Sequence, residues 1–164
     1  MLRLSLAPWL ALAFAAQGCA REATFDPAPF IGSWRGRWTD DAGQRGLLTV
    51  EVSARGDELT FTCEVGGVAR FARGAGRERV VARVQGGSAR FAEHESASFG
   101  RVRGVLDADG GMVVECEDVR GPIDSLYAHG SWVQDELVLE VDVSYDGSLR
   151  ADLAVVELAR RSGR

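Results

Sequence analysis

The triplet Glu93-His94-Glu95 is where side-chain chemistry would first be sought, because an imidazole between two carboxylates can ligate a metal or pass protons. In a strand, however, successive side chains point to opposite faces, so Glu93 and Glu95 face away from His94 and the three converge only in a loop. His129 is the only other histidine. A zinc site would have to gather ligands from distant parts of the chain, without thiolate spacing to help. No Gly-x-Ser-x-Gly elbow, His-Glu-x-x-His helix or phosphate-binding glycine loop occurs. The expectation is a protein that is not an enzyme, with no catalytic residue, no metal and no cofactor, and with a solvated loop before Ser96. A hydrolase or metal enzyme would require His94 and His129 to meet a carboxylate.

Charge offers a second clue. All 19 basic residues are arginine, against 24 acids, giving a net charge of −5, which with a pI near 5.1 argues against a nucleic-acid partner. Eight arginines (70, 73, 77, 79, 83, 90, 101 and 103) crowd the middle of the chain, whereas the stretch from Gly104 to Leu158 carries 13 acids and only Arg120 and Arg150. Either a basic patch meets anionic headgroups or polysaccharide, or these are outward strand residues paired with acids across strands. The second is the simpler reading.

The elements that must position these groups are strands. At 164 residues the chain suits one domain with a real core. Residues 30–38 carry Phe30, Trp34 and Trp38 at strand spacing on one face, with Gly32 and Gly36 between them. Leu48, Val50 and Val52 alternate with polar residues, a turn follows at Arg55-Gly56-Asp57, and Leu59, Phe61, Cys63 and Val65 share the next apolar face. Gly66-Gly67, Gly86-Gly87, Asp109-Gly110-Gly111 and Asp146-Gly147 mark further hairpin turns. Residues 121–127 read as a short helical turn or lid, and the final strand changes face near Val155, as at a bulge. Eight to ten short strands joined by tight turns predict an all-β fold, an antiparallel up-and-down barrel whose closure removes exposed edges.

The first residues stand apart from this pattern. Met1-Leu2-Arg3, the apolar run from Leu4 to Ala16 and the small-residue region ending at Gly18 make a secretory signal. Cys19 directly after Gly18 resembles the bacterial lipoprotein signal, although Ala16 and Gln17 depart from its usual residues and ordinary secretion is the competitor. That resemblance implies a signal peptide over 1–18, a lipid on Cys19, a tether over 19–29 and an exported protein anchored to a membrane of the cell envelope. With Cys19 lipidated, Cys63 and Cys116 remain to form a disulfide in an oxidising compartment, or to stay as buried thiols.

Gly32-Ser33-Trp34 on the first strand, the all-β meander and an arginine late in the last strand resemble the lipocalin and avidin-like, calycin-type barrels. The Thr-Asp-Tyr motif of typical lipocalins is absent. The resemblance implies a domain over 30–161 in which Trp34 closes one end and Arg160 or Arg161 packs across its ring. It also implies room for a small apolar or amphiphilic ligand, with Trp34, Phe61, Phe91, Trp132, Leu139 and Tyr145 as candidate wall residues, although ordinary core packing is the simpler role for each, since strand alternation demands apolar inward residues anyway. A barrel filled by side chains would instead serve as a structural module that contacts another envelope protein.

Overall fold

A computed structural model describes residues 24–66, 77–119, 123–145 and 148–161; for 92–94 and 148–153 only the backbone is described. The expected signal peptide over 1–18, Cys19, and Arg70 and Arg73 of the basic stretch lie outside the described residues.

Ten strands follow one another: β1 (Gly32–Asp40), β2 (Arg45–Arg55), β3 (Glu58–Gly66), β4 (Arg77–Gln85), β5 (Ser88–Ser96), β6 (Gly100–Asp107), β7 (Gly111–Glu117), β8 (Ile123–Val133), β9 (Glu136–Tyr145) and β10 (Ser148–Arg160). Each pairs antiparallel with its sequence neighbours, and β1 pairs with β10 to close the barrel. The alternating pattern dictates this, since every strand has one apolar side that needs a shared interior. Val50, Val52, Leu59, Phe61, Val80, Ala82, Val102, Leu106, Leu137, Leu139, Val141 and Val143 all turn inward and are buried.

The strand directions give the barrel two different ends. At the hairpin end lie the tight turns β2–β3, β4–β5, β6–β7 and β8–β9; at the loop end lie the other connections. Two glycines show how close the strands run. A Cβ at Gly36 would collide with the Glu157 backbone across the β1–β10 seam. One at Gly46 would collide with the Trp38 ring and the Gly66 carbonyl, the same carbonyl that accepts the Trp38 indole N–H at 3.1 Å.

Several details depart from the sequence reading. Residues 123–127 belong to β8 rather than to a helical turn or lid; a register irregularity between Ile123 and Ser125 breaks the alternation there. Val155 sits in regular register with both Thr39 and Glu140, so no bulge occurs at it; the irregularity lies earlier, between Ser148 and Ala151. Glu93-His94-Glu95 is not a loop but part of β5, where a register shift between Phe91 and His94 sets His94 opposite Val102. The expected tether also ends sooner than residue 29, because Phe25 is buried and its N–H bonds the Gly86 carbonyl in the β4–β5 turn at 3.4 Å.

Candidate ligand-binding cavity

Aromatic rings seal the hairpin end. Trp34 is fully buried and donates its indole N–H to the Phe30 carbonyl at 3.0 Å. Phe25 stacks on Phe30 at 5.4 Å, Phe30 meets Trp132 edge-on at 5.6 Å, and Trp132 meets Trp34 edge-on at 4.7 Å between centroids. Such offset and edge-on pairs suit the ring quadrupoles. The Arg160 guanidinium lies 4.8 Å over the Trp34 ring, donates to the Pro29 carbonyl and pairs with Asp135 at 3.3 Å. It thus ties the entering segment, the first strand and the β8–β9 turn together. Arg161 touches this arrangement through its backbone, whose N–H bonds the Ser33 carbonyl at 2.8 Å.

Beyond Trp132 the interior is not filled. A cavity of about 170 Å³ runs toward the loop end. Phe61, Phe91, Trp132 and Leu139 line it, as do Val80, Met112 and Leu126. Of the six residues chosen from the sequence, Trp34 lies beneath Trp132 in the seal, and Tyr145 packs half-buried against the core without lining the cavity. Phe61 and Phe91 pack at 5.2 Å and form a continuous aromatic surface with Trp132. The Trp132 indole N–H is buried with no hydrogen-bond partner among the described residues.

Cys63 and Cys116 both line the cavity and are free thiols; the expected disulfide is not formed. The reason is topological. Cys63 is on β3 and Cys116 on β7, with three strands between them on the shorter way round. At about 4.8 Å per strand this sets their backbones beyond the roughly 7 Å that a disulfide tolerates. Burial pushes both thiols up to about 12, helped by Glu78 for Cys63 and by Cys63 for Cys116. They are therefore protonated, weakly polar wall atoms.

At the loop end the wall changes character. Glu78 of β4 sits directly opposite Cys63 in register and in phase with inward Val80 and Ala82. Its carboxylate accepts hydrogen bonds from the Ser96 hydroxyl at 2.8 Å and the Ser98 hydroxyl at 2.5 Å. Ser96, the one buried polar residue among those described, also accepts the backbone N–H groups of Ser98 and Phe99. This cluster was not singled out from the sequence. Its signal was a carboxylate at an apolar phase of a strand, two residues before Val80.

The two histidines stay apart. His129 projects from the outer face of β8 beside Glu140, 3.5 Å away, while His94 lies on β5 with β6 and β7 between. Among the described residues no group of three or more metal-ligating side chains comes together. The outward arginines form ladders with acids: Arg77 with Glu51, Arg83 with Glu58, Arg101 with Glu117 and Asp118, and Arg103 with Glu115 and Glu117. At those positions the central arginines meet cross-strand partners, not a bare basic patch.

Fold and cavity define a closed, ten-stranded, up-and-down antiparallel β-barrel with an apolar interior space. Among solved structures the chain is similar to Rv2717c from M. tuberculosis, with a TM-score of 0.60 and 19% identity, over 84% of this chain and 99% of that one. It is also similar to a protein of unknown function from the DUF3598 family of Nostoc punctiforme, with a TM-score of 0.60 and 14% identity, over 85% of this chain and 50% of that one. At these identities the likeness is one of fold. No family model matches the sequence, and no curated protein matches it.

Proposed function

We propose that this chain is a calycin-type binding protein without catalytic activity, carrying a small apolar molecule in the barrel and held at an envelope membrane by a lipid on Cys19. The observation that carries the reading is the cavity of about 170 Å³ walled by Phe61, Phe91, Met112, Leu139 and Trp132. An apolar cavity of about 150 Å³ takes up a single benzene ring, so the fitting ligand has roughly one ring or a short alkyl chain. The Arg160–Trp34 stack that seals the other end supports the calycin comparison. A filled module for an envelope partner is the competing reading, and the open interior counts against it.

Native mass spectrometry of the mature protein from its host's membranes tests this. The expected result is a noncovalent mass lost on denaturation, with a diacylglycerol-sized mass kept on the N-terminal cysteine. Recombinant barrel should also bind n-butylbenzene, and Ala128→Phe, which fills the cavity from β8, should abolish that binding. Equal native and denatured masses together with no uptake of the probe would overturn the carrier reading; an unmodified N-terminus would overturn the anchor.

A further inference from the structure

We propose that Glu78, Ser96 and Ser98 form a head-group site at the loop end of the cavity, selecting a ligand that joins a short apolar body to a primary or secondary ammonium group. The proposal rests on the carrier reading and adds the polar half of the ligand.

Three observations carry it. The first is position. Glu78 faces Cys63 directly across the β3–β4 ladder and precedes Val80 by one inward step, while Ser98 precedes Phe99; Cys63, Val80 and Phe99 all line the cavity. The cluster therefore stands where a molecule lying against Phe61 and Phe91 would present its end.

The second is preorganisation. The Ser96 hydroxyl accepts two backbone N–H groups, from Ser98 at 3.2 Å and Phe99 at 3.0 Å, which commits its own proton to Glu78. Ser98 donates to the other carboxylate oxygen. Two hydroxyls thus hold the carboxylate in one orientation and leave about two of its roughly four acceptor positions unused.

The third is charge. Glu51, Glu58, Glu115 and Glu117 on the outer face each pair with an arginine, but Glu78, half-buried on the inner face, has no cationic partner among the described residues. A carboxylate beside an apolar space, fixed by hydroxyls and lacking a counter-ion, favours a cation that donates N–H bonds and rejects an anion.

Calorimetric titration of the folded barrel with n-hexylamine, n-hexanol and n-hexanoate at pH 7 tests the site. The amine should bind about tenfold or more tightly than the alcohol, the range for a hydrogen bond to a charged group, and the carboxylate more weakly than either. Glu78→Gln keeps the side chain's shape, with a carbonyl oxygen to accept from Ser96 and an amide N–H to donate to Ser98, and should erase the amine's advantage over n-hexanol. If the alcohol binds and the amine binds no better, or Glu78→Gln leaves the advantage intact, the head-group site is refuted and the cavity reading stands. If none of the three binds, the cavity reading falls and the head-group site with it. The amine-to-alcohol ratio in the unmodified chain decides the matter even where the variant fails to fold.

Discussion

Gly46→Ala is the most demanding test of the packing. The added methyl would fall within contact of both the Trp38 ring and the Gly66 carbonyl, so either the indole moves or β2 and β3 part. Trp38 is 1% exposed, and its N–H has the Gly66 carbonyl as partner at 3.1 Å. Overpacking a tight site costs about 1–3 kcal/mol, and leaving a buried donor without its acceptor costs about 1–3 kcal/mol more. We expect a loss of about 4 kcal/mol, which at a urea dependence of about 2 kcal/mol per molar lowers the unfolding midpoint by about 2 M. Gly43→Ala is the control. Its φ is +77° but nothing lies near its Cβ, so it should lose only about 1 kcal/mol, the cost of a left-handed backbone. Urea unfolding followed by tryptophan emission measures both, and Trp38 should shift to the red in folded Gly46→Ala. Equal midpoints for the two variants would refute the argument that the Trp38 indole requires a bare backbone at 46.

Arg160→Ala should lower stability by about 2 kcal/mol, combining a partly desolvated cation–π contact with a lost carbonyl partner, whereas Arg161→Ala should leave the urea midpoint unchanged. The thiols of Cys63 and Cys116 ionise near 9 in the unfolded chain and near 12 in the folded one, so their contribution to stability is complete below about pH 9 and is lost as pH rises toward 12. The Cys63→Ala/Cys116→Ala double variant should accordingly lose less stability between pH 8 and 11 than the natural chain, as read by urea midpoints; equal slopes would contradict the assignment. Ser96→Ala removes one donor to Glu78 and one acceptor for two backbone N–H groups, and should cost about 2 kcal/mol while speeding amide exchange at Ser98 and Phe99.

Much of the barrel could be read from the chain because its strands alternate and its turns are marked by glycine. Leu59-x-Phe61-x-Cys63 and Leu137-x-Leu139-x-Val141 lie inward as their spacing requires. The misreadings fall where alternation slips. Irregularities between Phe91 and His94 and between Ile123 and Ser125 each insert one residue and reverse the phase of the strand, so a period-two reading fails on one side of them. Val155 misled for a different reason: it is an apolar residue on the outward phase, facing Thr39 and Glu140. Phe25 was hidden because residues 24–29 carry prolines and no period, yet the chain crosses the barrel end there. The cavity wall was half visible, in Phe61, Phe91, Trp132 and Leu139, because phase shows which residues face inward but not whether they meet in the middle. Distance across the barrel was likewise invisible, and the cysteine pairing failed on that account.

The seam between β1 and β10 has a kinetic meaning. Arg160 and Pro29, which touch across it, are 131 residues apart in the chain, and β1 has no second partner until β10 is made. As the chain emerges from its N-terminus, the nine earlier strands can pair in order through local hairpins while β1 and β9 wait with open edges. Closing that ring is the nonlocal step and should set the pace of folding. An interruption before Ala154, where pairing with β1 begins, would leave a sheet with two sticky margins, so a chain truncated by its last strand should aggregate through edge pairing rather than persist as a smaller barrel.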